Sequence, residues 1–173
     1  LAITGATTID AGTADITLTE AASTFGSLSL TGANVAVTES DATELAASTV
    51  SGTFDIISGG AITNSGALAI TGASTFTNTA GTDAAITLDN AGNAFTGTVG
   101  FSTDSGSAVT VVDTTALDLQ ALTAASLSVT AGGDVTDSGT LAITGATTID
   151  AGSGNITLTE AASTFGALAL TGA

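Results

Sequence analysis

The chain has 173 residues, sixteen Asp and Glu, and no Lys, Arg or His, so its formal charge is −16; Cys, Pro, Met, Trp and Tyr are absent as well. These absences exclude a disulfide framework, a zinc ribbon and a thiol nucleophile. They also exclude an imidazole base or ligand, a lysine–asparagine isopeptide staple, and any basic clamp for phosphate or nucleic acid. Counts of 36 Thr, 34 Ala, 22 Gly and 17 Ser leave only 41 residues for Leu, Ile, Val and Phe. Those 41 fall in alternating patterns, which a disordered polyanion has no reason to show, and no run of about 18 apolar residues predicts a membrane span.

Taken in chain order, the alternating segments predict strands at 1–4, 15–19, 27–31, 34–38, 54–56, 85–89, 108–111 and 127–130. A period of two puts one face inward and one outward. The outward residue is most often Thr, a good strand former. Gly-Ala, Ala-Gly, Gly-Gly, Asp-Ser-Gly and Asp-Asn-Ala-Gly-Asn punctuate the strands with turn chemistry. The stretch Glu44-Leu45-Ala46-Ala47 reads as a short helical turn, and no segment sustains a helical period.

Repeats decide between the all-β architectures. Residues 1–33 and 141–173 agree at 28 of 33 positions; the differences are Thr13/Ser153, Ala14/Gly154, Asp15/Asn155, Ser27/Ala167 and Ser29/Ala169. The opening hexapeptide recurs at Leu68–Ala73, giving modules 1–67, 68–140 and a partial 141–173. A closed sandwich would not place one 33-residue sequence in two environments, whereas a one-dimensional stack does. The expected fold is therefore all-β: a single continuous β-solenoid over 1–173, a right-handed parallel β-helix by the handedness rule for parallel crossovers. Three coils per module of about 70 residues gives about 23 residues per coil and, at ~4.8 Å per coil, a rod on the order of 36 Å long. The six Phe, three of them after Ser-Thr, are expected core fillers, and Pro is missing because it would remove a ladder donor. A chain that opens inside a repeat is expected to be a segment of a longer polypeptide whose targeting signals lie elsewhere.

The segments 66–73, 85–99 and 131–139 resemble the repeats of filamentous-haemagglutinin-like bacterial surface proteins. That resemblance implies a β-helical shaft of a large secreted exoprotein, displayed at the cell surface or in the extracellular matrix, and carries no functional residues onto this chain.

Chemistry is sparse. Asp134 with Asp137, or Asp10 with Asp15, could be drawn as the carboxylate pair of a glycosidase; the plainer reading makes them turn residues. Asp10 and Glu20 recur as Asp150 and Glu160, which argues against a unique catalytic pair, so no enzyme activity, catalytic residue or cofactor site is expected. Asp83, Asp89, Asn90 and Asn93 offer oxygens suited to Ca²⁺, but no calcium-roll nonapeptide is present. Diffuse or bridging Ca²⁺ is the expected cation chemistry. Thr pairs at Thr17/Thr19, Thr75/Thr77/Thr79, Thr96/Thr98 and Thr157/Thr159 allow a second function, an ice- or polysaccharide-binding face. Asn155-Ile156-Thr157 matches a glycosylation sequon, discounted because the earlier copy reads Asp15-Ile16-Thr17. Self-association with like rods, end to end or laterally, is the expected partnership, with no nucleic acid.

Overall fold

A computed structural model describes residues 1–80, 84–103 and 106–173. Those residues form twenty-one strands and no helix. Thirteen strands join in one sheet and eight in a second, and every strand pair is parallel. Parallel strands without intervening helices, each stacked on the strand one circuit earlier, make a β-solenoid.

The eight-stranded sheet takes one strand from each coil, so there are eight coils. Its inward column runs Ile16, Val35, Phe54, Ser74, Val99, Leu119 and Asp137, each paired in register with the next. The first of these strands begins at Ile16 and the eighth at Ile156, the matching residue of the copied 33-mer. Seven steps separate them, so a coil takes about 20 residues. That is shorter than the expected coil of about 23. Individual circuits vary in length: Leu45 stacks on Leu28, whereas Ser74 reaches its next partner only at Val99.

The physical reason for the correction is that each module spans three and a half coils, not three. Leu68–Ile70 therefore stacks between Ser48–Val50 and Ala94–Phe95, whereas its copy Leu141–Ile143 stacks on Leu122–Ala124, in a different column. The same tripeptide serves two walls because each wall asks only for alternation. Only the double module, from Ile16 to Ile156, returns to the same wall after seven coils, and it does so two residues out of column, since Ile156 pairs with Val135 whereas the column of Ile16 runs to Asp137.

Alternation decides what is inside. Along Phe54–Ser58, residues 54, 56 and 58 are buried while 55 and 57 are exposed. The core holds Leu28, Leu30, Leu45, Ile56, Ile62, Leu68, Ile86 and Leu88 without solvent contact. Five of the six Phe are buried, and Phe165, in the last strand, is partly buried. Phe76 meets Phe54 edge-on at 5.8 Å, Phe95 edge-on at 6.1 Å and Phe101 stacked at 5.8 Å. Glu44 and Leu45, in the stretch 44–47 expected as a helical turn, belong instead to the strand Thr43–Leu45: Leu45 lies over Leu28, buried, with Thr43 buried on the same side. Burial of that alternating pair overrides the helix preference of Glu, Leu and Ala.

Among the described residues no helix is long and apolar enough to cross a membrane.

Candidate functional site

The polar side chains that matter sit at the ends of strands, where the chain turns a corner. Val35-Ala36-Val37-Thr38-Glu39 points residues 35, 37 and 39 inward, so the alternation that buries two valines also buries Glu39. Asp113 follows Val109 and Val111 in the same way, and Asp137 follows Val135. Glu39 is 3% exposed and Asp113 2%.

Each buried carboxylate takes the place of a main-chain carbonyl in the ladder between coils. Glu39 Oε1 accepts from the Phe25 amide at 2.7 Å. Asp113 Oδ1 accepts from the Phe95 amide at 3.1 Å and from the Thr115 amide at 3.1 Å. Asp137 accepts from the Thr159 amide at 2.6 Å and the Glu160 amide at 3.3 Å. Burial pushes the Glu39 carboxyl up from its ordinary value of 4.5, against the nearby Thr43 hydroxyl and the Phe25 amide, with Asp41 adding to the rise. Burial likewise raises Asp113, opposed by its bonds from Phe95 and Thr115.

The residues singled out from sequence take similar structural roles. Asp10 Oδ1 accepts from the Gly12 amide at 2.9 Å, and Asp150 does the same for Gly152 at 2.9 Å. Both glycines have positive φ, 60° and 56°, the left-handed conformation that glycine adopts without a Cβ clash. Asp15 Oδ1 accepts from the main chain and side chain of Asn34, and Asp134 Oδ1 from those of Asn155. The pairs Asp10/Asp15 and Asp134/Asp137 are thus occupied by turn and coil-to-coil bonds. Glu20 and Glu160 are exposed, in turns whose carbonyls accept from Ser23 and Ser163.

Of the calcium candidates, Asp83 lies outside the described residues. Asn93 is fully buried and binds its own core: its Oδ1 accepts from Asn64 Nδ2 at 2.7 Å and from the Leu68 amide at 3.0 Å, and its Nδ2 donates to the Leu88 carbonyl. Asn90 caps Gly92 and donates to the Ser65 carbonyl. Asp89 is exposed. Among the described residues no three acidic side chains converge on a common point.

The Thr pairs do not form a continuous face on the eight-stranded sheet. Outward columns there read Thr17, Ala36, Asp55, Thr75, Gly100 and Thr38, Ile57, Thr77, Ser102. Thr98 pairs with Asp118, and Thr157 with Thr136. The other sheet carries a hydroxyl column that the sequence pairs did not reveal: Thr63, Thr87, Thr110, Ser128 and Thr148, one per coil, beginning above Glu44.

Parallel coils tied together at their corners by side-chain carboxylates and amides define a repeat protein of the β-solenoid class. The chain belongs to the family described as repeats of unknown function (DUF5649), whose profile matches residues 1–31, 32–102 and 106–171. No curated protein and no solved structure matches it.

Proposed function

We propose that this chain is a length of shaft in a secreted, acidic, adhesin-like fibre of the bacterial cell surface or extracellular matrix, and that its work is mechanical rather than catalytic. The observation that carries the reading is the seven-coil repeat. One 33-residue sequence recurs seven coils on along the same wall, and its polar side chains, Asp15 and Asn155 among them, go into holding coil to coil. Such a unit lengthens without changing its cross-section, which is what a spacer requires. The resemblance to filamentous-haemagglutinin-like repeats supports the extracellular placement.

Imaging tandem copies of the seven-coil repeat by electron microscopy tests the mechanical part. Each added copy should lengthen a straight particle by about 34 Å, seven steps of ~4.8 Å. Particles that widen instead would sink the reading. Immunogold labelling of intact source cells tests the placement, with label at the surface expected and label confined to the interior opposing it.

A second reading rests on the column Thr63, Thr87, Thr110, Ser128 and Thr148: a flat row of hydroxyls that binds ice or a crystalline polysaccharide. Thermal hysteresis, or co-sedimentation with insoluble glycans, lost on Thr87→Val with Thr110→Val, would favour it over the shaft.

A further inference from the structure

A buried carboxylate is normally answered by a Lys or Arg, because an unpaired ionised group in a low-dielectric interior is costly. This sequence has neither residue anywhere, yet Glu39 and Asp113 are almost wholly enclosed. No side-chain charge of opposite sign can stand beside them. What remains to neutralise them is a proton.

The surroundings of Glu39 fit a proton. Its Oε1 is occupied by the Phe25 amide. Its Oε2 and the Thr43 hydroxyl are buried close to one another, and neither is bonded to any other group. The Thr43 hydroxyl can donate to an ionised carboxylate or accept from a protonated one, so the protonated form keeps this contact without burying a charge. Asp113 is a variant of the same corner. Its two oxygens receive the Phe95 and Thr115 amides and the Thr115 hydroxyl, which joins the coil of Phe95 to the coil above.

The charged groups around these corners are few. Asp41, two residues on, is the charged side chain that acts on Glu39, and none among the described residues acts on Asp113. The strands flanking Val35–Glu39 contribute Asp55, which is exposed on the outer face. Glu44, beside Thr43, receives the Thr63 hydroxyl. The Leu1 ammonium donates to Ser23 Oγ at 3.2 Å. The strands flanking Ala108–Asp113 are Ile86–Leu88 and Ser126–Ala131, which contain no titratable side chain.

We infer that the Glu39 and Asp113 carboxyls are proton-held clasps between successive coils, so that the rod tightens in mild acid and loosens as the medium turns neutral. The sign follows from linkage. A carboxyl that holds its proton more tightly folded than unfolded adds stability below the ordinary range near 4, and that stability drains away as pH rises through the folded value. The direction is opposite to the usual acid unfolding of proteins whose buried carboxylates have cationic partners. This device does not depend on where the fibre is displayed.

Hydrogen exchange and urea unfolding of the full chain between pH 4 and pH 8, in 0.5 M NaCl, test it. That salt shortens the Debye length to about 4 Å, suppressing repulsion between surface charges. After correction for intrinsic exchange, protection at the Phe25 and Phe95 amides should fall about tenfold for each pH unit across the transition. Protection at the Phe54 amide, which bonds a main-chain carbonyl, should fall less. Glu39→Gln with Asp113→Asn keeps an acceptor oxygen and adds a fixed donor, and should flatten the profile. Asp55→Asn removes one exposed charge and should leave it intact. A profile equally steep in the double variant overturns the inference. So does a chain more stable at pH 7 than at pH 5. If the double variant does not fold, the wild-type contrast between Phe25 and Phe54 still decides, and equal pH dependence at both rejects the clasp.

Discussion

Asn155 donates twice to one oxygen of Asp134, from its main-chain nitrogen at 2.7 Å and from Nδ2 at 3.3 Å. Asn34 does the same to Asp15, one coil below it, at 3.0 and 2.9 Å. The corner therefore needs an acceptor below and an amide above. This explains one of the five differences between the two 33-residue copies. Position 15 supplies the acceptor for Asn34, whereas position 155 stands on Asp134 and must donate.

Asn155→Asp replaces the donating amide with a second carboxylate over Asp134. The loss is expected to be about 1 kcal/mol, since the site is exposed and the repulsion is partly screened. It should shrink as salt is raised. Urea midpoints at 0.05 and 1 M NaCl measure this, and a loss insensitive to salt would show that repulsion is not its cause.

A second difference, Ala14 against Gly154, has a steric cause. A Cβ on residue 154 would run into the carbonyl group of Gly133 in the coil below. Gly154→Ala should cost about 1–3 kcal/mol, as overpacking does. Ala14→Gly, with no coil of the described chain beneath it, should cost under about 1 kcal/mol, through chain entropy alone. Paired unfolding curves check the asymmetry, and equal losses would contradict the stacking.

Phe76 touches three other rings, so its removal opens the middle of the rod. Phe76→Ala is expected to destabilise by about 3–5 kcal/mol. Because each coil rests only on its neighbours, loss of hydrogen-exchange protection should centre on the Phe54, Phe76 and Phe101 coils and fade toward both ends. Uniform loss along the chain would mean a more cooperative unit than a stack.

Rods of this charge repel one another at low salt. Ca²⁺ can bridge exposed carboxylates on two rods, because its coordination tolerates imperfect geometry. Millimolar Ca²⁺ is expected to bundle rods laterally more than Na⁺ at equal ionic strength, reversibly with chelator. Light scattering across the titration checks it; bundling that follows ionic strength alone leaves only screening.

Much of the fold was legible in the sequence because alternation and repetition both survive without side-chain detail. Val35-Ala36-Val37 announces a strand by itself, and the copied 33-mers announce a stack. Coil length was not legible, since Leu68–Ile70 and Leu141–Ile143 are the same sequence on different walls, and only pairing reveals the half-coil between them. The buried carboxylates had a signal that composition obscured. Glu39, Asp113 and Asp137 occupy the inward parity of their strands, yet acidic residues are expected outside. The roles of Asn90 and Asn93 as corner bonds were hidden for a related reason: oxygens that suit a metal also suit a neighbouring amide, and only the coil below shows which one is there.

A repeat that returns to one wall after seven coils also sets a ruler along the solenoid. Ile16 and Ile156 open strands on the same wall seven coils apart, two residues out of column, so a mark carried by the repeat returns to that wall after about 34 Å. A multivalent partner with two grips at that spacing would meet both on one side of the rod. Its second contact would then form at high effective concentration without bending either molecule. Inserting or deleting residues without restoring a whole coil would turn the next mark to another wall and abolish that avidity, while every individual contact stayed intact.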